Sequence, residues 1–413
     1  MTTTVSARAA RILIVDDSAV MRSLLRSVVG VDKRLEVAGT ASDGASALRA
    51  MDSLTPDLVL LDVEMPVMDG LSTLKEMKNK PRKVPVIMCS SLTQRGAKVT
   101  IEALASGAAD YVAKPSGAPS REAAVQALAH DLVPKILALT AHSTHANNAA
   151  SSGIFSPAFS SPLTPLVPAL TPAFHPGRPQ PGHAGSLLPS ALPAASTSTA
   201  VTSTPAVLLI GVSTGGPAAL DVLLPALPAN FPLPVLIVQH MPELFTKMLA
   251  ERLDSRCPMR VAEAIHGQPI RPGKIYIAKG NWHMEVTGSY VEGSGFAPPP
   301  MLRLTQEPPE NHCRPAVDVL FRTAVAAYGS RILSVILTGM GSDGLAGSRL
   351  IREHHGTVLA QDEVTSVVWG MPGAVSQAGL AQRILPLLAI APEILRLTGR
   401  TQREAVELRE SAV

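Results

Sequence analysis

The chain has 413 residues and a formal charge of +3, with 46% hydrophobic, 17% charged and only 3% aromatic residues. That length predicts two or three domains, each with its own core. Lys and Arg are scattered along the sequence. This pattern argues against a nucleic-acid-binding protein, which needs a basic face to neutralise phosphates.

The cysteines and the N-terminal sequence bear on the cellular compartment. Cys89, Cys257 and Cys313 fit neither a disulfide framework nor a paired metal-ligand spacing. The first residues, MTTTVSARAA, lack the apolar core of a signal peptide. No segment carries the roughly 18 uninterrupted apolar residues that cross a bilayer. We therefore expect a cytoplasmic protein that does not insert into a membrane.

After a tail at 1–10, short apolar runs alternate with amphipathic stretches. Strands are predicted in RILIVDDS, DLVLLDVEMP, VPVIMCSS and ADYVAKP, and helices in SAVMRSLLRSVV, DGASALRAMDS and GLSTLKEMKN. This alternation predicts a parallel sheet covered by helices on both faces. A further helical stretch, interrupted by Pro134, reaches Leu139, so we place the first domain and its trailing helix at 11–139.

Polar side chains follow several of these strands at their carboxyl ends. Asp16 and Asp17 close the first strand and Asp62 closes another. Neighbouring carboxylates disfavour each other's ionisation, and a hard cation such as Mg²⁺ relieves that conflict. Such a metal also allows one carboxylate to attack a phosphoryl group. Ser90 and Lys114 follow two other strands and can supply a hydroxyl and an ammonium to the phosphate oxygens.

The ordered motifs DD, LLDVEMPVMDG, PVIMCSS and DYVAKP resemble the receiver domain of two-component response regulators, which has a flavodoxin-like fold. The resemblance covers most of residues 11–117 and implies a histidine kinase as phosphodonor. It assigns six residues to the phosphorylation site: Asp62 as phosphoacceptor, Asp16 and Asp17 as acidic metal-site residues, Ser90 as switch hydroxyl, Tyr111 as switch aromatic and Lys114 as the phosphate-contacting lysine. It also implies a cis peptide bond between Lys114 and Pro115.

Residues 140–205 differ in composition from the sequence on either side. This segment is rich in Pro, Ala, Ser and Thr and poor in charge, as in LPSALPAASTSTAVTSTP. Such a composition cannot form a packed core and predicts a flexible linker.

A second alternating α/β domain is predicted at 206–400, followed by a polar tail at 401–413. Its strands are read in AVLLIGVS, PVLIVQHM, KIYIAKG, RILSVILTGM and GTVLAQD. The first of these runs into GVSTGGP, which places Ser213 on a glycine-rich turn before a helix. Such a serine suits a nucleophile near oxyanion-binding N–H groups. The same pattern also suits an anion site or a simple helix cap, and the motif alone does not decide among the three.

A serine nucleophile needs a base and a group that orients the base. His240 ends the strand after that of Ser213, and Asp343 lies in ILTGMGSDG after a later strand. A lone histidine at a strand end is more often structural than catalytic. The chain order serine, histidine, acid differs from the α/β-hydrolase order of serine, acid, histidine, so it disfavours a lipase-like enzyme.

The motifs GVSTGGP, IVQHMP, GKIYIAKGNWHMEV, RPAVDVLF and ILTGMGSDGLAG resemble the chemotaxis protein-glutamate methylesterase family. The resemblance covers nearly all of residues 206–395 and implies a Rossmann-like doubly wound domain, so the chain would hold two such domains. It implies Ser213 as nucleophile, His240 as general base and Asp343 as orienting acid. It also implies hydrolysis of glutamyl methyl esters on methyl-accepting chemotaxis receptors, deamidation of receptor glutamines and no cofactor at the esterase site.

The segment before RPAVDVLF departs from the family pattern. Where the family commonly has histidine before Arg-Pro, this chain has Cys313, with His312 one residue earlier. We therefore assign no role to His312, and nothing around Cys313 favours it as a nucleophile. His283, in NWHMEV, matches a family position and is as compatible with a structural as with a functional imidazole.

Two functional hypotheses follow. In the first, the receiver packs over the Ser213 cleft until phosphorylation of Asp62 opens the interface. In the second, the protein is a non-catalytic response regulator whose second domain binds a partner or a nucleotide. Only the first requires His240 and Asp343 to lie beside Ser213.

Overall fold

The computed structural model describes residues 8–115, 117–151, 204–288, 290–291, 295–296 and 299–399, with side chains of the long helix described as far as residue 141. Most of the segment proposed as the N-terminal tail, the whole proposed C-terminal tail and most of the linker lie outside the described residues, and β1 begins at Ala10, the last residue assigned to the N-terminal tail. Among the described helices, none combines the length and the apolarity needed to cross a bilayer.

The first domain is a five-stranded parallel sheet with helices on both faces. Its elements are β1 (Ala10–Val15), α1 (Ala19–Val29), β2 (Leu35–Ala41), α2 (Gly44–Leu54), β3 (Leu58–Asp62), α3 (Gly70–Asn79), β4 (Val86–Ser90), α4 (Gln94–Ala105), β5 (Asp110–Ala113) and α5 (Arg121–Ser151). The strand order is β2-β1-β3-β4-β5, the doubly wound flavodoxin-like order. It confirms the fold class expected from the sequence.

Side chains that alternate in direction along the buried strands form two cores, one on each face of this sheet. Ile12 and Ile14 of β1 pack with α1 and α5, whereas Leu13 and Val15 pack with the opposite helix layer. The side chains of adjacent strand residues point to opposite faces, so a wholly apolar strand supplies both cores. Such a sheet leaves its functional groups at the carboxyl ends of the strands.

Helix α5 continues through Pro134 without a break and ends at Ser151. Leu132 and Ile136, on either side of the proline, are fully buried. Tertiary packing of this apolar face stabilises the helix despite the hydrogen bond that the proline removes. The last residues of α5 therefore belong to the segment that composition assigns to the linker.

The second domain is built on a seven-stranded sheet. Its elements are β6 (Val207–Val212), α6 (Gly216–Leu223), β7 (Val235–Gln239), α7 (Glu243–Asp254), β8 (Arg260–Glu263), β9 (Lys274–Ile277), β10 (His283–Thr287), β11 (Tyr290–Val291), β12 (Gly295–Phe296), β13 (Met301–Thr305), α8 (Val317–Tyr328), β14 (Ile332–Ile336), α9 (Leu345–Glu353), β15 (Thr357–Gln361), α10 (Met371–Gln377), β16 (Arg383–Leu385) and α11 (Leu387–Leu397). The order is β16-β15-β14-β6-β7-β9-β8, and all pairs are parallel.

The central strand β6 lies between β14 and β7. The chain adds strands on the β7 side first and on the β14 side later, so the winding direction reverses beside β6. Open α/β sheets bind ligands at such a switch point, outside the carboxyl ends of the strands. The residues that follow β6, β7 and β14 are therefore the ones to inspect.

The two domains pack against each other through helix α4 and strand β5 of the first. Helix α4 contacts α6 and α7 of the second domain. The Tyr111 ring stacks on Phe245, with ring centroids 4.4 Å apart. Both rings are buried, Tyr111 at 6% and Phe245 at 0% exposure. The docked face thus includes the side chain that the resemblance assigns as a switch.

Candidate active site and acidic cluster

Three carboxylates meet at the carboxyl edge of the first sheet, as the sequence suggests. Asp16, Asp17 and Asp62 bring ligand oxygens within 4.8 Å of one another. Lys114 Nζ lies 2.8 Å from Asp16 Oδ2 and 2.7 Å from Asp62 Oδ1. Asp16 Oδ2 is buried and accepts no hydrogen bond of acceptable geometry within the described chain. A buried oxygen with spare acceptor capacity suits an additional cationic ligand.

The charges of this cluster are strongly coupled. Burial raises the pKa of Asp62 above its usual value, and the neighbouring Asp16 charge adds to the rise, although the Lys114 ammonium opposes both. The pKa of Lys114 is raised as well, because its contacts with the two carboxylates outweigh its burial. The lysine therefore stays protonated and offsets part of the negative charge.

The other receiver residues expected at this site lie on neighbouring strand ends. Ser90 is fully buried, and its hydroxyl accepts a hydrogen bond from Thr100 Oγ1 at 2.7 Å. Tyr111 points instead into the domain interface. The expected cis bond before Pro115 is wrong: within the described residues the cis peptide bond is Arg314–Pro315.

Ser213 follows β6 directly, on the turn that opens α6. Its N–H donates to the Thr338 carbonyl at 3.0 Å, and its own carbonyl accepts from Gln239 Nε2 at 3.0 Å. Gly215 adopts φ +78°, and a Cβ there would lie 2.6 Å from Val367 Cβ. Glycine is therefore required by conformation and by space. The turn holds the serine backbone rigidly between β7 and β14.

His240 and Asp343 come together at the same sheet edge. His240 Nε2 lies 2.8 Å from Asp343 Oδ2, and the side chains are 12% and 3% exposed. Within the described residues the Ser213 hydroxyl has no hydrogen-bond partner, but Ser213 and His240 line one cavity. Since Nε2 is used by Asp343, Nδ1 is the ring nitrogen that remains for another partner.

Asp343 is fixed by backbone donors at the start of α8. Its Oδ2 accepts the Val317 N–H at 2.6 Å, and its Oδ1 accepts the N–H groups of Asp318 and Gly344 at 3.0 Å each. A helix N-terminus favours a negative charge. Burial alone would raise the pKa of Asp343, but the contact with His240 and these N–H groups lower it below its usual value. The carboxylate is therefore ionised.

The electrostatics of His240 follow from the same contacts. Burial lowers the pKa of the imidazole. The Asp343 carboxylate and the Cys313 thiol, both within hydrogen-bonding reach, raise the pKa by more than burial lowers it, so the pKa is about 9. The paired imidazole thus resembles the oriented histidine of a serine hydrolase. Cys313, at the position where the chain departs from the family pattern, contacts the His240 ring itself.

The histidines that the sequence left open have separate environments. His283 accepts the Ala316 N–H on Nδ1 at 3.2 Å, and its Nε2 lies 3.1 Å from the Pro308 carbonyl. His283 is buried, and its two contacts hold Pro308 and Ala316, the two ends of the segment that precedes α8. This is a structural role. His312 is exposed, at φ +62°.

A cavity of about 730 Å³ lies over Ser213 and is closed partly by the first domain. Both domains contribute to its wall, including Ser213, His240 and Cys313 from one side and Asp110, Tyr111 and Lys135 from the other. The candidate active site therefore faces the receiver-like domain, which covers part of the cavity.

Two hydrogen bonds join the first domain to the turn that follows Ser213. Thr214 Oγ1 donates to Asp110 Oδ2 at 2.5 Å, and the Gly215 N–H donates to the Ala109 carbonyl at 3.1 Å. Burial raises the pKa of Asp110, against the opposing effects of Lys135 and of the Thr214 bond. Sequence reasoning missed Asp110 and Thr214, because neither motif reveals which surfaces dock.

Comparisons with known proteins match both domains. The model described as CheB methylesterase matches residues 208–394, and the model described as response regulator receiver domain matches residues 12–126. A protein-glutamate methylesterase/protein-glutamine glutaminase of Nocardioides sp. is 45% identical over 96% of this chain and 97% of its own length. The corresponding protein of Trichodesmium erythraeum is 42% identical over 94% of this chain and 99% of its own length.

Solved structures match each domain separately. The Thermotoga maritima CheB methylesterase catalytic domain is 41% identical over 47% of this chain and 98% of its own, with a TM-score of 0.44. The response regulator domain of the same organism's CheB is 41% identical over 31% of this chain and 94% of its own, with a TM-score of 0.28.

A receiver-type sheet joined to a sheet with a serine and a His–Asp pair at its switch point defines a two-domain response regulator with a hydrolase-type output. The full-length similarity is more specific. The chain belongs to the protein-glutamate methylesterase/protein-glutamine glutaminase family.

Proposed function

We propose that the protein is a phosphorylation-activated protein-glutamate methylesterase and protein-glutamine glutaminase that acts on methyl-accepting chemotaxis receptors. One observation carries this proposal: the His240–Asp343 hydrogen bond of 2.8 Å at the wall of the cavity that holds Ser213. A non-catalytic output domain would not require that pair, so the second hypothesis is not favoured. Methanol release from a methylated receptor is the direct test.

In the proposed reaction His240 Nδ1 accepts the proton of the Ser213 hydroxyl while Ser213 Oγ attacks the glutamyl ester carbonyl. A tetrahedral oxyanion forms, and the imidazolium then donates the proton to the departing methoxide, which leaves as methanol. The product is an acyl-serine. Asp343 stabilises the imidazolium throughout and keeps the ring oriented.

Water completes the cycle by the same chemistry in reverse. His240 accepts a proton from water, the hydroxide adds to the acyl carbonyl, and collapse of the second oxyanion restores Ser213 and releases a glutamate side chain. A glutamine substrate differs only in its leaving group, because the imidazolium then protonates the departing amide nitrogen, which leaves as ammonia, instead of methoxide. The same residues therefore serve both reactions.

The oxyanion needs donors that the substrate can reach. Thr214 follows Ser213 in the chain, and a Cβ on Gly339, the residue before Met340, would lie 2.8 Å from Ser213 Cβ. The N–H groups of Thr214 and Met340 donate no hydrogen bond within the described part of the chain. Met340 also lines the cavity. We assign these two groups to the oxyanion hole, since the residue after a nucleophile commonly provides one of its donors.

Asp62 is the proposed phosphoacceptor, supplied by a histidine kinase. The cluster of Asp16, Asp17 and Asp62 fits Mg²⁺, because it offers carboxylate oxygens within 4.8 Å and one of them, Asp16 Oδ2, is buried with spare acceptor capacity beside its ion pair with Lys114. A bound divalent cation would offset the charge of the phosphoryl group. Lys114 would contact the phosphate oxygens from its position between the carboxylates, and the Ser90 hydroxyl would provide the neutral donor.

The docked receiver is the proposed inhibitor of the resting enzyme. Its Ala109 carbonyl and Asp110 carboxylate accept hydrogen bonds from Gly215 and Thr214, on the turn directly after Ser213. Tyr111, the proposed switch aromatic, is held against Phe245 at the same interface. A change in this side chain on phosphorylation would weaken the interface and admit the receptor. We assign the protein to the cytoplasm, a reducing compartment compatible with its free thiols.

Among the acids of the receiver, Asp62 alone should carry the phosphoryl group. With a small phosphodonor and Mg²⁺, the wild-type protein should incorporate phosphate and release methanol faster, whereas Asp62→Asn should do neither because an amide does not form an acyl phosphate. Phosphate incorporation and methanol release are both measured. Asp52→Asn, an exposed acid paired with Lys80, is the matched control and should respond like wild type. Label on another residue, or activation of Asp62→Asn, contradicts the assignment.

Turnover should rise with pH. The base must be neutral to accept a proton, and a pKa of about 9 for His240 leaves roughly one molecule in a hundred competent at pH 7. Methanol release at saturating receptor should therefore increase about tenfold per pH unit and level off near pH 9. The stability that the His240–Asp343 pair contributes follows the opposite course: it is fully present below about pH 6.5 and is lost as pH rises through about 9.

Cys313→Ala is the diagnostic variant for this pH profile. Because the thiol contact raises the pKa of His240, its loss should move the rising limb to lower pH and increase the rate at pH 7. A profile that is flat between pH 6 and 9, or one that Cys313→Ala moves to higher pH, argues against His240 as the base.

A further inference from the structure

A tight turn at 310–313 places side chains in contact with both members of the His–Asp pair: Asn311 contacts Asp343 and Cys313 contacts His240. Backbone hydrogen bonds join Glu310 and Cys313 in both directions, at 3.1 and 2.9 Å. The two residues between them adopt φ +51° and +62°. Two consecutive left-handed residues are typical of a type I′ turn, which favours asparagine at such positions. Asn311 therefore stands at a conformationally suitable place.

The amide of Asn311 joins two buried carboxylates. Its Nδ2 donates to Asp343 Oδ1 at 2.9 Å and to Asp318 Oδ2 at 2.9 Å. Both acids are 3% exposed. The other oxygen of Asp318 accepts the Gly347 N–H at 2.6 Å. A single amide group, with its two protons, thus lies between two like charges that solvent scarcely reaches.

Two buried carboxylates that both lie 2.9 Å from one amide nitrogen cannot both stay ionised without donors between them. Burial, followed by the charge of Asp343, raises the pKa of Asp318 to about 6, while the Gly347 N–H and Asn311 oppose the rise. The other charged groups that face the pair are His240, on Asp343, and Glu310, which is paired with Arg322. If the amide were absent, the two acids would share a proton.

We propose that Asn311 is a positioning residue for the reaction, which keeps Asp343 ionised and aimed at His240 by separating it from Asp318. This inference rests on the proposed function, because it assigns Asn311 a role in the triad chemistry. The side chain acts through Asp343 and does not transfer a proton. A proton held between the two acids would weaken the acceptor that stabilises the imidazolium, and the general base would lose basicity.

The test uses the full-length protein and Asn311→Gly. Glycine suits the left-handed turn, so this change removes the amide with little backbone strain. We expect the limiting turnover number, measured at saturating receptor on the plateau above pH 9 where His240 is neutral in both proteins, to fall about tenfold to hundredfold, as for the loss of a hydrogen bond to a charged group. The pKa of His240, followed by NMR of the imidazole, should fall as well. Glu307→Gln, an exposed acid on the same segment, is the control and should leave both values unchanged.

A second variant separates this role from a structural one. In Asn311→Gly/Asp318→Asn the repulsion is gone, and the oxygen of the new amide can keep the Gly347 N–H bond. This double variant should regain most of the turnover and of the His240 pKa. Equal defects in the single and double variants, or a normal His240 pKa in Asn311→Gly, would overturn the proposal. The NMR titration does not depend on esterase activity, so failure of the proposed function is detected separately, as an absence of methanol release by the wild type.

Discussion

Replacing Ser213 with alanine should lower methanol release from methylated receptor about a million-fold, as for removal of the nucleophile in other serine hydrolases. The hydroxyl is half-buried at the cavity wall and makes no hydrogen bond to another described residue. Its removal therefore costs the fold little, and the loss should appear in turnover and not in receptor affinity. Burst and steady-state methanol release measure the first, and co-sedimentation with receptor-containing membranes measures the second.

Serine-to-alanine changes elsewhere on the second domain calibrate this experiment. Ser376 is a suitable control, because its hydroxyl only donates back to the Pro372 carbonyl within α10, at 2.7 Å. Ser376→Ala should release methanol at the wild-type rate. Near-normal methanol release by Ser213→Ala would contradict the assignment of Ser213 as the nucleophile and of His240 as its base.

Removing the receiver should activate the resting enzyme. A protein that lacks residues 1 to about 205 should release methanol roughly 10- to 100-fold faster than the unphosphorylated full-length protein, the range expected for an allosteric coupling between two sites. The reason is the pair of contacts that Asp110 and Ala109 make to the turn after Ser213. Initial rates without phosphodonor, at equal enzyme concentration, provide the measurement.

A point change in the intact chain checks that result. Asp110→Ala removes the acceptor of the Thr214 hydroxyl and should give partial activation without phosphodonor. Asp52→Ala, on an exposed face of the same domain, should remain at the resting rate. If the isolated second domain is no faster than the resting full-length protein, inhibition by docking is refuted, and activation must come from a positive contribution of the phosphorylated receiver.

The strands and the strand-end residues were predictable from the sequence, because both follow from local patterns. Uninterrupted apolar runs identify buried parallel strands, and the carboxyl ends of such strands share one edge of a sheet. That geometry is enough to bring Asp16 near Asp62, and His240 near Asp343. The helix through Pro134 was not predictable in the same way, since the local effect of proline is outweighed by packing on both sides.

The supporting residues depend on contacts that no local pattern encodes. Asn311 lies far in sequence from Asp343, on a turn whose motif suggested only a departure from the family at Cys313. Asp110 begins an ordinary buried strand, and its bond to Thr214 exists only because two domains dock. Such residues are found by following hydrogen bonds outward from the site, not by reading periodicity.

Under the proposed inhibition, the bonds from Ala109 and Asp110 to the turn after Ser213 make the receiver a built-in competitive ligand. Because it is part of the same chain, dilution of the protein cannot remove it, and its affinity for the cleft together with its effective concentration on the tether sets the fraction of open enzyme. Receptor and docked receiver compete for one face, so inhibition should raise the apparent KM more than it lowers kcat. The linkage is reciprocal. A receptor that holds the cleft open therefore also favours the phosphorylated form of the receiver. Each adapting receptor would thereby prolong the signal that leads to its own demethylation.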